Sequence, residues 1–172
     1  MISSASVSRL SIAMGAILIV GFGNDGALGQ TELSQKLIRL FPKPLPGWRA
    51  GPVDVKKEPG GELLVRRNYS VGNNLVVFMI RKSDKLPKGD PRKAVKTDPY
   101  LRRAGARIFV VKGRPAILAK VGGLRQGMLT VNRKIMIVAV GMRGLGAPGL
   151  AQWDSVIRYL RATDLRGLAS IR

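Results

Sequence analysis

A succession of short apolar runs separated by turn residues constrains this chain more than any other feature. Glu62–Val71 alternates, with Leu63, Val65 and Tyr69 on one side and Arg66, Asn68 and Ser70 on the other. Side chains of a strand point alternately to its two faces, so this stretch reads as a strand. Gly72-Asn73-Asn74 turns it into residues 75–81, a dense apolar strand expected to be central and covered on both faces. Further on, residues 106–112, 115–121, 126–131 and 134–140 succeed one another across Gly113-Arg114, Gly122-Gly123 and Asn132-Arg133. Turns this short return the chain antiparallel, because a parallel crossover needs a dozen residues or more. Residues 53–57 add a short edge.

Two segments change the period. Thr31 is a candidate N-cap, and Leu33, Leu37, Ile38 and Phe41 then recur at helical spacing until Pro42, Pro44 and Pro46 stop the pattern. Trp48, just beyond, is expected to anchor on the sheet. Leu150, Trp153, Val156, Ile157 and Leu160 mark a last amphipathic helix over 150–162, after which Leu165 and Leu168 are placed to dock. The predicted fold is α+β: a single antiparallel β-sheet of five to seven strands, flanked by an N-terminal and a C-terminal helix.

Residues 1–29 read as a signal peptide. A short Ser-rich start carrying Arg9 leads into an apolar run over 10–22, and Ala27-Leu28-Gly29 supplies small residues before Gln30. That run is too short for a permanent membrane helix. The expectation is a periplasmic or secreted protein whose single domain spans 30–172, with no permanent transmembrane helix in the mature chain. The leader holds a competing pattern, Gly21-x-Gly23-x-x-Gly26 after apolar residues, which has the outline of a dinucleotide-binding turn. It lacks the context, since no strand–helix alternation follows. A second such pattern, Gly144-x-Gly146-x-x-Gly149, lies between a strand and a helix. Too little chain follows it for a parallel crossover, so it reads as a strand-to-helix joint.

The charge is lopsided: 30 Lys+Arg against 10 Asp+Glu, a net +20. It is concentrated around residues 83–105, read as a long, mobile basic loop with one helical turn near 99–103. Arg81, Lys82, Lys85, Lys88, Arg92, Lys93, Lys96, Arg102, Arg103 and Arg107 are the candidate anion-binding residues. Unpaired charges resist burial, so most of these must face water or an anionic partner. Nucleic acid fits less well than an envelope component, because Tyr100 is the only stacking residue in the stretch.

Chemistry is poorly provided for. The chain has no Cys and no His, which excludes Cys/His zinc sites and the Cys–His and Ser–His–Asp triads. Ser83 and Lys85 are close in sequence, but nothing nearby would lower the lysine pKa. No cofactor and no catalytic constellation is expected.

Leu45-Pro46-Gly47-Trp48, the Tyr69-Ser70 strand leading into Leu75-Val76-Val77-Phe78-Met79-Ile80, and Val110-Val111-Lys112-Gly113-Arg114-Pro115-Ala116 before a late hairpin and terminal helix carry a resemblance. The chain resembles small exported bacterial proteins of unknown function whose arrangement is similar to the PsbP/Mog1-like sheet with flanking helices. The resemblance implies a fold and carries no catalytic residues. The expected function is a non-catalytic binding module of the bacterial envelope, its basic surface meeting an anionic lipid head group or glycan. The alternatives are a structural or protein-interaction domain with incidental charge and, more remotely, a small envelope enzyme.

Overall fold

The structure, a computed structural model, describes residues 31–58, 61–87, 89–122, 124–143 and 152–171. The expected leader, both glycine patterns and Lys88 lie outside these residues.

Seven strands form one fully antiparallel sheet: β1 (Arg49–Glu58), β2 (Glu62–Val71), β3 (Asn74–Lys82), β4 (Arg107–Val111), β5 (Arg114–Val121), β6 (Leu124–Thr130) and β7 (Ile135–Arg143). Their order in space is β1-β2-β3-β7-β6-β5-β4. Two meanders, β1 to β3 and β4 to β7, thus meet along a central seam where Ile80 lies opposite Ile137 and Phe78 opposite Ala139. The strand after Gly72-Asn73 is therefore interior, as its apolar density predicts.

Pleating sends alternate residues to opposite faces. On the first face, Val65, Tyr69, Val76, Phe78, Ile80, Leu118, Leu129 and Ile137 form a core with α1 (Glu32–Arg39), α4 (Gln152–Ala162) and α5 (Leu165–Ala169). Thr31 caps α1, its hydroxyl accepting from the Ser34 amide at 3.3 Å. The deepest residues of α4 are Val156, Tyr159 and Leu160, while Trp153 sits half-buried at the rim. Gly127 lets α4 press close: a Cβ there would fall 2.7 Å from Leu160 Cδ1 and 2.8 Å from Val156 Cγ1. The tail docks through Leu165 and Leu168, both buried.

The proline-rich linker is held by two phenols. Tyr69 donates to the Pro42 carbonyl at 2.6 Å, and the Leu45 amide donates to the Tyr159 hydroxyl at 3.4 Å. The two rings lie 4.4 Å apart, and Trp48 meets Tyr159 edge-on at 5.5 Å.

The second face corrects the reading of residues 83–105. The segment is not a long loop. It folds into α2 (Pro91–Thr97) and α3 (Pro99–Arg103), which cover the β4–β5 side of the sheet. Asp90 and Asp98 are N-caps, and the proline after each opens the helix, where a missing N–H costs nothing. Leu86 and Leu101 are buried, and Ala94, Val95, Tyr100 and Ala104 pack with Ile117, Ala119, Val121 and Met128. A sheet apolar on both faces needs a second cover, and that demand organises the segment.

Candidate functional site

The fold distributes the ten candidate cations unevenly. Arg92, Lys93 and Lys96 are exposed on α2, and Arg102 and Arg103 are exposed on α3. The inner side of both helices is used by the core, so these five side chains form the outer surface of that layer. None of them has an ion pair among the described residues.

The remaining candidates do other things. Arg81 is only partly exposed and donates through Nε to Glu62 at 3.1 Å, with a second bond from Nη2 to the same oxygen. Burial of the Glu62 carboxyl is the largest single influence and raises its pKa. Hydrogen bonds from Ser83 and Arg81, with the charges of Arg81 and Lys85, together outweigh it and hold the pKa below the ordinary value. Lys82 is half-buried at the end of β3, and Lys85 is exposed beside Ser83. Arg107 lies across the sheet from α2 and α3, its guanidinium 5.4 Å from the Trp153 ring centre.

The acidic residues explain why the α2–α3 cations stand alone. Glu32, Asp54, Asp84 and Asp154 pair with Lys36, Arg66, Lys134 and Arg158, at 2.6, 2.7, 3.0 and 3.8 Å. Asp90, Asp98 and Asp164 point at backbone amides as helix caps. Within the basic segment, Asp84 thus reaches across to Lys134 in the turn before β7, and the other two acids are N-caps.

A second cationic cluster was not legible in the sequence. Arg125 reaches the same Trp153 ring as Arg107, also at 5.4 Å, and Arg161 lies 4.9 Å from the Phe109 ring centre. The residues come from β4, β6 and α4, so only the sheet register brings them together. No family model matches the chain, and no curated protein or solved structure matches it.

Proposed function

We propose that the protein is an exported, non-catalytic binding module of the bacterial envelope that attaches to anionic lipid head groups through the outer surface of α2 and α3. One observation carries this reading: Arg92, Lys93, Lys96, Arg102 and Arg103 are exposed together, unpaired among the described residues, on helices whose apolar side is already covered by the sheet. Such a surface offers charge without an inserting apolar face, so attachment is peripheral and reversible. Each cation close to an anionic leaflet contributes about 1 kcal/mol, enough in combination for measurable binding. The PsbP/Mog1-like arrangement belongs to the same reading as a fold analogy, which assigns no site.

The test is co-sedimentation with vesicles of neutral phosphatidylcholine, alone or mixed with phosphatidylglycerol. Binding should require the anionic lipid and weaken steeply as salt rises. Replacing Arg92, Lys93, Lys96, Arg102 and Arg103 by Ser should abolish it. Equal binding to both vesicles, or no effect of the five substitutions, leaves the charge solvated and favours a protein-interaction domain. Intact-mass analysis of natively expressed protein tests export: the mature chain should start at or near Gln30.

A further inference from the structure

We propose that the cleft at the β4–β5 and β6–β7 turns binds a small organic anion, a carboxylate or phosphate ester carrying an apolar body, independently of the lipid-binding surface. The cleft has a volume of about 660 Å³. Small-molecule sites fall in roughly the range 300–1,000 Å³. Pro87, Pro91 and Pro115 supply apolar, conformationally fixed walls, and Arg114, Arg133 and Thr130 supply polar groups. Among the described residues, no carboxylate lines it. Asp90 falls between two lining residues, but its side chain accepts from the Arg92 amide at 2.9 Å.

Both arginines are presented by ordered turns. Arg114 opens β5 and donates through Nη1 to the Val131 carbonyl at 2.5 Å, which fixes its side chain across the cleft floor. One N–H is engaged there, and the rest of the fork remains for a ligand. Arg133 is exposed at the tip of the next turn. That turn is built by Asn132, whose Oδ1 accepts from the Lys134 and Ile135 amides at 2.8 and 2.7 Å. Its Nδ2 donates to the Ala169 and Ile171 carbonyls, both at 3.3 Å. Asn132 is therefore a positioning residue, with its amide fully committed. Two guanidinium groups with no opposing carboxylate among the described lining residues suit an oxyanion, which arginine recognises through paired N–H donors. The proline rings give the rest of the ligand an apolar surface, and their rigidity lowers the ordering cost of binding.

The experiment is an NMR titration of the full mature chain with phenyl phosphate, benzoate and inorganic phosphate, following backbone amides and arginine Nε–H signals. Saturable shifts at Gly89, Arg114, Thr130 and Arg133, with a Kd below about 10 mM for phenyl phosphate or benzoate, support the site. Whichever of the two binds tighter identifies the acid group. Arg133→Ala should weaken that binding about tenfold, the effect of removing one charge-assisted contact, and Arg114→Lys should do likewise while keeping the charge. The Arg92→Ser, Lys93→Ser, Lys96→Ser variant should leave it unchanged, so this test fails separately from the vesicle experiment. The proposal is overturned if neither organic probe saturates. It is also overturned if inorganic phosphate binds as tightly as both, or if Arg133→Ala and Arg114→Lys both bind normally.

Discussion

Ser83 donates its hydroxyl proton to Glu62 Oε1 at 2.6 Å, closing the ends of β2 and β3 around a carboxylate that Arg81 also holds. The Lys85 amide then donates to the same Ser83 oxygen at 3.0 Å, which starts the path toward α2. Because the pKa of Glu62 is lowered in the folded state, its contribution is present above the unfolded carboxylate value. It is lost as pH falls through the folded value. Glu62→Gln should cost about 2–3 kcal/mol at neutral pH, since Arg81 loses its charge partner in a partly buried site. The variant should also show a shallower loss of stability on acidification. Urea denaturation at neutral and acidic pH measures both; parallel pH profiles would show that the carboxylate is not coupled to folding.

Gln126 presents a different problem. It is 1% exposed, and among the described residues neither its amide oxygen nor its nitrogen has a hydrogen-bond partner. Its cross-strand neighbours on this face are Ala119 and Val140. A buried polar group without partners costs about 1–3 kcal/mol. Gln126→Met keeps the volume and removes the penalty, so it should raise the denaturation midpoint by an amount of that order. A lower midpoint would mean that the amide is satisfied, for instance by an internal water.

Gly127 is the neighbouring residue and faces the other way. A Cβ at this position would also lie 3.1 Å from Leu118 Cδ2, so the α4 side chains must move to admit it. Gly127→Ala should destabilise by about 1–3 kcal/mol through overpacking, and Gly127→Val by more. Thermal denaturation of both variants decides this. An unchanged midpoint for Gly127→Val would place α4 further from the sheet than described.

The Tyr69 phenol is pushed up to about 12, chiefly by burial, and Tyr159 is raised for the same principal reason. Both ionise near their ordinary value once unfolded, so the unfolded state binds fewer protons above pH about 10. Stability should therefore fall as pH rises from there through the folded value. Tyr69→Phe should flatten that fall. It should also cost about 1–3 kcal/mol at neutral pH, because the buried Pro42 carbonyl loses its donor. Alkaline denaturation followed by tyrosinate absorbance tests both; a free-tyrosine titration in the native protein would sink the argument.

The strands were legible because period-two alternation and two-residue turns are local signals, and residues 62–71 match β2 from end to end. The basic segment differs from the expected loop for an equally local reason. The helical turn expected near 99–103 is present as α3, but Pro91 also follows an aspartate N-cap and begins a second helix, α2, where a loop is expected. The sequence Asp-Pro twice, with Ala94, Val95, Leu101 and Ala104 between and after, was the available signal. No local signal exists for the Trp153–Arg125 contact or for the cleft between Arg114 and Arg133. Those depend on which turns the sheet order places side by side. Trp153 lies on the sheet-facing stripe of α4 as its spacing predicts, and it packs against the core from the rim, half-buried.

The central seam carries a consequence for how the chain folds. Each meander can assemble from hairpins whose loops close quickly, whereas β3 and β7 are joined through everything between them. Loop-closure entropy makes that pairing the costly one, and the rewards of the seam come only after it. Ile80→Val and Ile137→Val, opposite each other in the seam, should therefore slow folding, while Ile117→Val in the outer meander should mainly speed unfolding. Stopped-flow chevrons separate the two limbs; a seam substitution that acts on the unfolding limb alone would put the zipping of the two halves after the barrier instead of on it.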